Sequence, residues 1–108
     1  MLTKEIFRES VDTLLQVHKV YSTLYGIGID ISESMLDTGA FKLFDKLLES
    51  HFSKEDCDVI REWVYDRVFD IQKTYGQDLD VKINYIYNKD GEVVVDNFDS
   101  LCEYYEIV

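Results

Sequence analysis

Asp58, Glu62, Asp66 and Asp70 stand four residues apart in the stretch "DVIREWVYDRVFD". On a helix these carboxylates stack along one face, each about 6 Å above the last, comparable to the spacing of phosphates along a nucleic-acid strand. Like charges so placed repel by a few tenths of a kcal/mol per pair. The ladder is therefore either a solvated face or a surface that a partner uses. Two chemistries are open to it: a pair such as Glu62 and Asp66 could hold a hard cation, and the whole set could meet a basic surface. Tyr65 borders the acids, and Val59 and Phe69 lie among them, so aromatic surface of the kind that anchors protein interfaces stands beside the charge. The C-terminal segment repeats the device, with Asp96, Asp99, Glu103 and Glu106 at three- and four-residue intervals. If the two helices are neighbours, their acids form one broad negative surface. The partner-binding residues expected on these grounds are Asp58, Glu62, Tyr65, Asp66, Phe69, Asp70, Asp99, Glu103 and Glu106.

Other chemistries find little support. The chain has no Glu-x-x-His pair of the di-iron type, no HExxH zinc helix and no glycine-flanked nucleophilic serine. His18 and His51 are isolated in sequence, and His18 falls on an apolar stripe, where a histidine is more often packed than ligating. Cys57 and Cys102 are too few for a disulfide framework and too far apart for a metal knuckle, so both read as small buried hydrophobes. Gly26 and Gly28 in "YGIGIDISES" resemble a phosphate loop only superficially: no strand precedes them, a third glycine is missing, and Asp30 repels phosphate. In "NKDG" the closing glutamate of a calcium loop is absent, and a hairpin turn is the better reading. No catalytic residue, metal or cofactor is expected, and the chain reads as a non-enzyme.

The overall charge narrows the partners. The 108 residues carry a formal charge of −11, beyond the roughly 2 to 8 in magnitude usual for a small domain. Residues 1–54 hold eight acids and six bases, whereas residues 55–108 hold fourteen acids and five bases. Such a field repels nucleic acid and anionic membrane and attracts basic surfaces. No apolar run approaches the roughly 20 residues needed to cross a bilayer. The opening "MLTKEIFRES" lacks the apolar stretch of a signal peptide. A cytoplasmic location, in a host cell, is the expectation.

The elements that must position these residues follow from periodicity. A first helix is expected from Thr3, its N-cap, to Tyr25, with Gly26 as the left-handed residue that ends it. Phe7, Val11, Leu14, Tyr21 and Leu24 form its apolar stripe. A second helix lies in "TGAFKLFDKLLESHF", with Phe41, Phe44, Leu47, Leu48 and Phe52 on one face. Ser53 caps a third helix, with Asp56 completing an approximate capping box. That helix runs to about Lys73 or Tyr75. Cys57, Ile60, Val64, Val68 and Ile71 share its apolar side, with Trp63 and Arg67 at the margin. The period then shortens to two: Val81, Ile83, Tyr85 and Tyr87 alternate with Lys82, Asn84 and Ile86 in a strand, and "EVVVD" returns after the turn. Asp96 or Asn97 caps a short last helix whose inner face is Phe98, Leu101, Cys102 and Tyr105. The fold class is α+β, with three N-terminal helices, a two-stranded antiparallel hairpin and a short C-terminal helix in one domain spanning residues 1–108.

From Phe41 onward the order of features resembles small acidic accessory proteins encoded by bacteriophages and mobile elements. The segments that carry the resemblance are "FKLFDKLLESHF", "DVIREWVYDRVF" and "NKDGEVVVDNFDSLCEYYEIV", about 60% of the chain. It implies a protein that binds and blocks a host or defence factor, in some cases by imitating nucleic acid. Together with the charge, it gives the expectation of a non-enzymatic inhibitor that binds the basic surface of a nucleic-acid-handling protein. Direct contact with nucleic acid or membrane is not expected of it. The alternative is a helical interaction or assembly module whose acids serve only solubility.

Overall fold

The Thr3 hydroxyl accepts the Ile6 N–H at 3.1 Å and starts α1 (Lys4–Gly26), so the expected cap is in place. A computed structural model of the protein describes residues 2–29, 39–69 and 77–108. Within them α1 is followed by α2 (Gly39–His51), α3 (Lys54–Val68), β1 (Ile86–Tyr87), β2 (Val93–Val95) and α4 (Phe98–Tyr104). This is the α+β architecture of three helices, an antiparallel hairpin and a short last helix. Among the described residues no helix is long and apolar enough to cross a membrane.

The three long helices pack on one another through their apolar stripes. Phe7, Val11 and Leu14 of α1 meet Phe41, Phe44 and Leu48 of α2 and Ile60, Val64 and Val68 of α3, all essentially without solvent contact. The hairpin and α4 close the other side with Val95, Phe98 and Leu101. Phe98 stacks on Phe7 with ring centres 5.4 Å apart. Cys57 and Cys102 are buried free thiols, and burial raises the pKa of both. His18 is buried as well, edge-on to Phe69 and 3.3 Å from the Gln77 amide nitrogen.

Caps define the helix ends. Ser53 accepts from the Asp56 N–H at 3.2 Å to start α3. Asn97 and Ser100 form a reciprocal capping box on α4. Two expected ends move. The left-handed residue after α1 is Gly28, with φ +92°, and Gly26 is helical. The Ile29 and Gly28 N–H groups bond back to the Leu24 and Tyr25 carbonyls, which closes the helix with a glycine where no Cβ obstructs the reversal. Helix α3 stops at Val68, with Phe69 as its cap, short of Lys73. Asp70, Ile71 and the expected helix end at Lys73 or Tyr75 lie outside the described residues.

The strand expected over residues 81–87 is reduced to Ile86–Tyr87. Asn84 adopts a left-handed backbone, φ +59°, and that single reversal breaks the alternation. Ile86 therefore turns toward the core while Tyr85 and Tyr87 face outward. The carbonyls of residues 81, 83 and 84 are also diverted from sheet pairing to side chains of α3. The turn itself is as expected. Asn88 and Gly91, φ +80°, close it, and the Asn88 side chain accepts from the Asp90 and Glu92 N–H groups. An extra residue on β2 then shifts the register between Ile86↔Val95 and Tyr87↔Val93.

Candidate functional site

Helix α3 divides the molecule's chemistry between two sides. On the inner side Arg67 is only 1% exposed. Its guanidinium donates to the carbonyls of Asp78, Val81, Ile83 and Asp96 at 2.7 to 3.1 Å. It also lies over the Trp63 ring, 4.6 Å from the centroid, which accounts for an Nε that has no hydrogen-bond partner. Burial lowers the pKa of this group, and nearby Asp78 and Asp96 offset part of that effect. The cation thus gathers four carbonyls, two of which, Asp78 and Asp96, also accept from the Val81 and Ile83 N–H groups, and fixes the segments flanking the hairpin to α3.

Trp63 completes the attachment. Its indole N–H donates to the Asn84 carbonyl at 2.8 Å, and the Asn84 amide donates to the Trp63 carbonyl at 3.2 Å. This reciprocal pair holds the left-handed residue that turns Tyr85 and Tyr87 outward. The result is an open groove of about 390 Å³ between α3 and β1, lined by Val59, Glu62, Trp63 and Asp66 on the helix and by residues 84–87. Tyr85 and Tyr87 are 49% and 57% exposed, and their rings meet edge-on.

The acids of the ladder have different fates. Asp58 is exposed but accepts from Arg61 at 3.0 Å, and Arg61 also grips Asp45 at 2.8 Å. The hydrogen bond to Asp45 is the main reason the Arg61 pKa is raised. Glu62 and Asp66 are exposed on the bank of the groove. Among the described residues neither has an ion-pair or hydrogen-bond partner. Asp70 lies outside the described residues. Glu55 is exposed one turn before Asp58 and extends the ladder toward the helix start.

Tyr65 and Phe69 are half-buried and belong to the seam between α2 and α3. Phe69 stacks on Phe41 at 5.8 Å, and Tyr65 meets both rings edge-on. The Tyr65 hydroxyl donates to Asp45 at 3.1 Å, and burial raises its pKa. Their rings are occupied inside the molecule. The aromatic surface beside the acids comes from Tyr85 and Tyr87, which the alternating pattern had placed on a strand face with Val81 and Ile83. The signal for them was Asn84: asparagine is poor in strands and tolerant of left-handed backbone. Arg67 was likewise readable only as marginal, although Trp63 and Arg67 stand four apart, at the spacing where side chains on a helix touch.

The C-terminal acids lie on α4 and just beyond it. Helix α4 packs chiefly on β2, and Asp99 is paired with Lys4 of α1 at 2.6 Å. Glu103 is exposed, and Glu106 occupies a left-handed position, φ +57°, just beyond the helix. Tyr105 brings the end of α4 against Phe52, near Asp56 at the start of α3. Glu62 and Asp66 lie six to ten residues further along that helix, about 9 to 15 Å. A second groove, also about 390 Å³, is lined by Lys54 and Arg61 as well as Glu49 and Asp58, so its charge is balanced. No group of three or more metal-ligating side chains occurs among the described residues. Comparison with protein-family models, with curated proteins and with solved structures finds no match to this chain.

Proposed function

We propose that this chain is a non-catalytic inhibitor, of the kind encoded by phages and mobile elements, that binds the basic surface of a nucleic-acid-handling host or defence protein. The observation that carries the reading is the pair of unpartnered, exposed carboxylates, Glu62 and Asp66, beside two outward-facing tyrosines. Charge without an internal counterion favours association with a cation-rich surface, and steers it over distances set by the salt concentration. Aromatic rings next to that charge supply contact area that solubility alone does not require.

One observation favours the second reading, an assembly module. Val20, Tyr25, Ile27 and Ile29 are exposed toward the end of α1, and a stable oligomer measured by light scattering at high salt would support it. The test of the first reading is capture from a bacterial lysate at low and high salt, followed by elution with duplex DNA. The wild-type chain should retain a nucleic-acid-handling protein that salt and DNA both release. The variant Asp58→Asn, Glu62→Gln, Asp66→Asn, Asp70→Asn should lose it while keeping close to wild-type stability, since relief of i,i+4 repulsion offsets the loss of the exposed Asp58–Arg61 pair. Equal retention by both chains, with equal salt dependence, refutes the inhibitor reading.

A further inference from the structure

The groove between α3 and β1 differs from the equally large groove beside Asp58 in the tyrosine rings that line it. Helix α3 contributes Val59, Glu62, Trp63 and Asp66 to its lining, and the segment at β1 contributes Tyr85 and Tyr87. No cation is among its lining residues. We propose that this groove is the docking site for an extended, arginine-bearing segment of a basic partner protein, its guanidinium seated between those carboxylates and those rings. The proposal rests on the reading above and narrows it from a charged face to a groove.

Three features select this occupant. The two carboxylates call for a cation, and a planar guanidinium can meet a carboxylate with two parallel hydrogen bonds where an ammonium meets it as a point charge. The tyrosine rings offer faces on which a guanidinium stacks. Exposed, apolar Val59 suits the methylene stem behind the charged head. The space, about 390 Å³, is at the small end of ligand sites. It takes one or two side chains and not a folded domain. The banks are also fixed in advance: the reciprocal Trp63–Asn84 hydrogen bonds and the four Arg67 bonds hold β1 against α3. A partner therefore need not order the groove when it binds.

Trp63 is the sole tryptophan and reports on the groove. The probe is a capped octapeptide of alternating arginine and serine, compared at low ionic strength with the same peptide carrying citrulline, the neutral isostere of arginine. The arginine peptide should change Trp63 emission saturably and shift the Tyr85 and Tyr87 amides. Glu62→Gln with Asp66→Asn, and separately Tyr85→Ser with Tyr87→Ser, should each weaken it by roughly tenfold. Asp99→Asn with Glu103→Gln on α4 should leave it unchanged. Equal binding of the citrulline peptide, an equal loss in the α4 variant, or no saturable change overturns the proposal. The tyrosine variant is also carried into the capture experiment. If it retains the partner fully while the acid variant loses it, the groove is refuted and the acidic face stands. If both retain it, both readings fall.

Discussion

Helices α3 and α4 both carry acids at three- and four-residue intervals, yet their surroundings give those acids different meanings. On α4, Asp99 is neutralised by Lys4, while Glu103 is exposed and Glu106 lies in the turn just beyond the helix, neither beside the aromatic groove. On α3, Asp58 is similarly tied to Arg61, but one turn further Glu62 and Asp66 stand free among the described residues and face two tyrosines. Charge spacing alone does not distinguish these cases. What distinguishes them is the element packed alongside, and here that element is a hairpin pinned to α3 by Trp63 and Arg67. Each region also contains one left-handed residue that is not glycine. Asn84 is held by two hydrogen bonds to Trp63. The turn at Glu106 is closed by the Ile107 and Glu106 N–H groups bonding back to Cys102 and Glu103, with the Ile107 side chain buried.

The largest expected effect comes from removing the pin. Arg67→Ala takes the side-chain donor from the Val81 and Ile83 carbonyls, takes one of two donors from those of Asp78 and Asp96, and leaves a void beside Trp63; it should destabilise the fold by about 3 kcal/mol. Urea denaturation measures this, and faster hydrogen exchange at the Ile83 amide, which bonds to the Asp96 carbonyl, should accompany it. Arg67→Lys should not rescue it, because one ammonium cannot reach carbonyls spread over residues 78 to 96. Wild-type stability in Arg67→Ala would erase the distinction drawn between the two regions.

Next in size is an alkaline effect centred on α4. Burial pushes the Cys102 thiol from the ordinary 9.0 up to about 11, opposed in part by Lys4 and Arg8 and reinforced by Asp99 and Glu103. The folded chain therefore holds this proton more tightly than the unfolded chain does. The associated stability is complete below pH 9 and is lost as the pH climbs to about 11, in total about 2 to 3 kcal/mol. Burial of the Tyr65 phenol adds a loss of the same sign at higher pH. Denaturation curves from pH 8 to 11 should fall for the wild type and fall less steeply for Cys102→Ala, in which Cys57 still titrates above its ordinary value. An equal slope in both would assign the alkaline loss to other groups.

The smallest effect sharpens the contrast between the two left-handed residues. Glu106→Gly removes a Cβ from an unfavourable backbone conformation and should stabilise the chain by about 1 kcal/mol. Asn84→Gly relieves the same strain but forfeits the side-chain bond to the Trp63 carbonyl, and should be neutral or destabilising. Thermal melts of the two variants check the sign of each. Stabilisation of both would mean that Asn84 contributes nothing to positioning the tyrosines.

The local elements were legible in the sequence because their causes are local. Thr3, Ser53 and Asn97 cap their helices, "NKDG" turns the hairpin, and the apolar stripes of Phe7, Phe41 and Ile60 reach the core. The exposure of Asp58, Glu62 and Asp66 follows from the same helical period. Tertiary structure alone decided which acids keep their charge unspent, because an ion pair such as Lys4 with Asp99 joins residues far apart in the chain. It also decided that Arg67 is a buried hub, since its four acceptors lie on segments that period and propensity do not bring together. The outward turn of Tyr85 and Tyr87 depends on one backbone reversal at Asn84, stabilised from 21 residues away by Trp63. An alternating pattern carries no trace of such a contact. Spacing along the chain fixes faces, and only packing between elements fixes what each face meets.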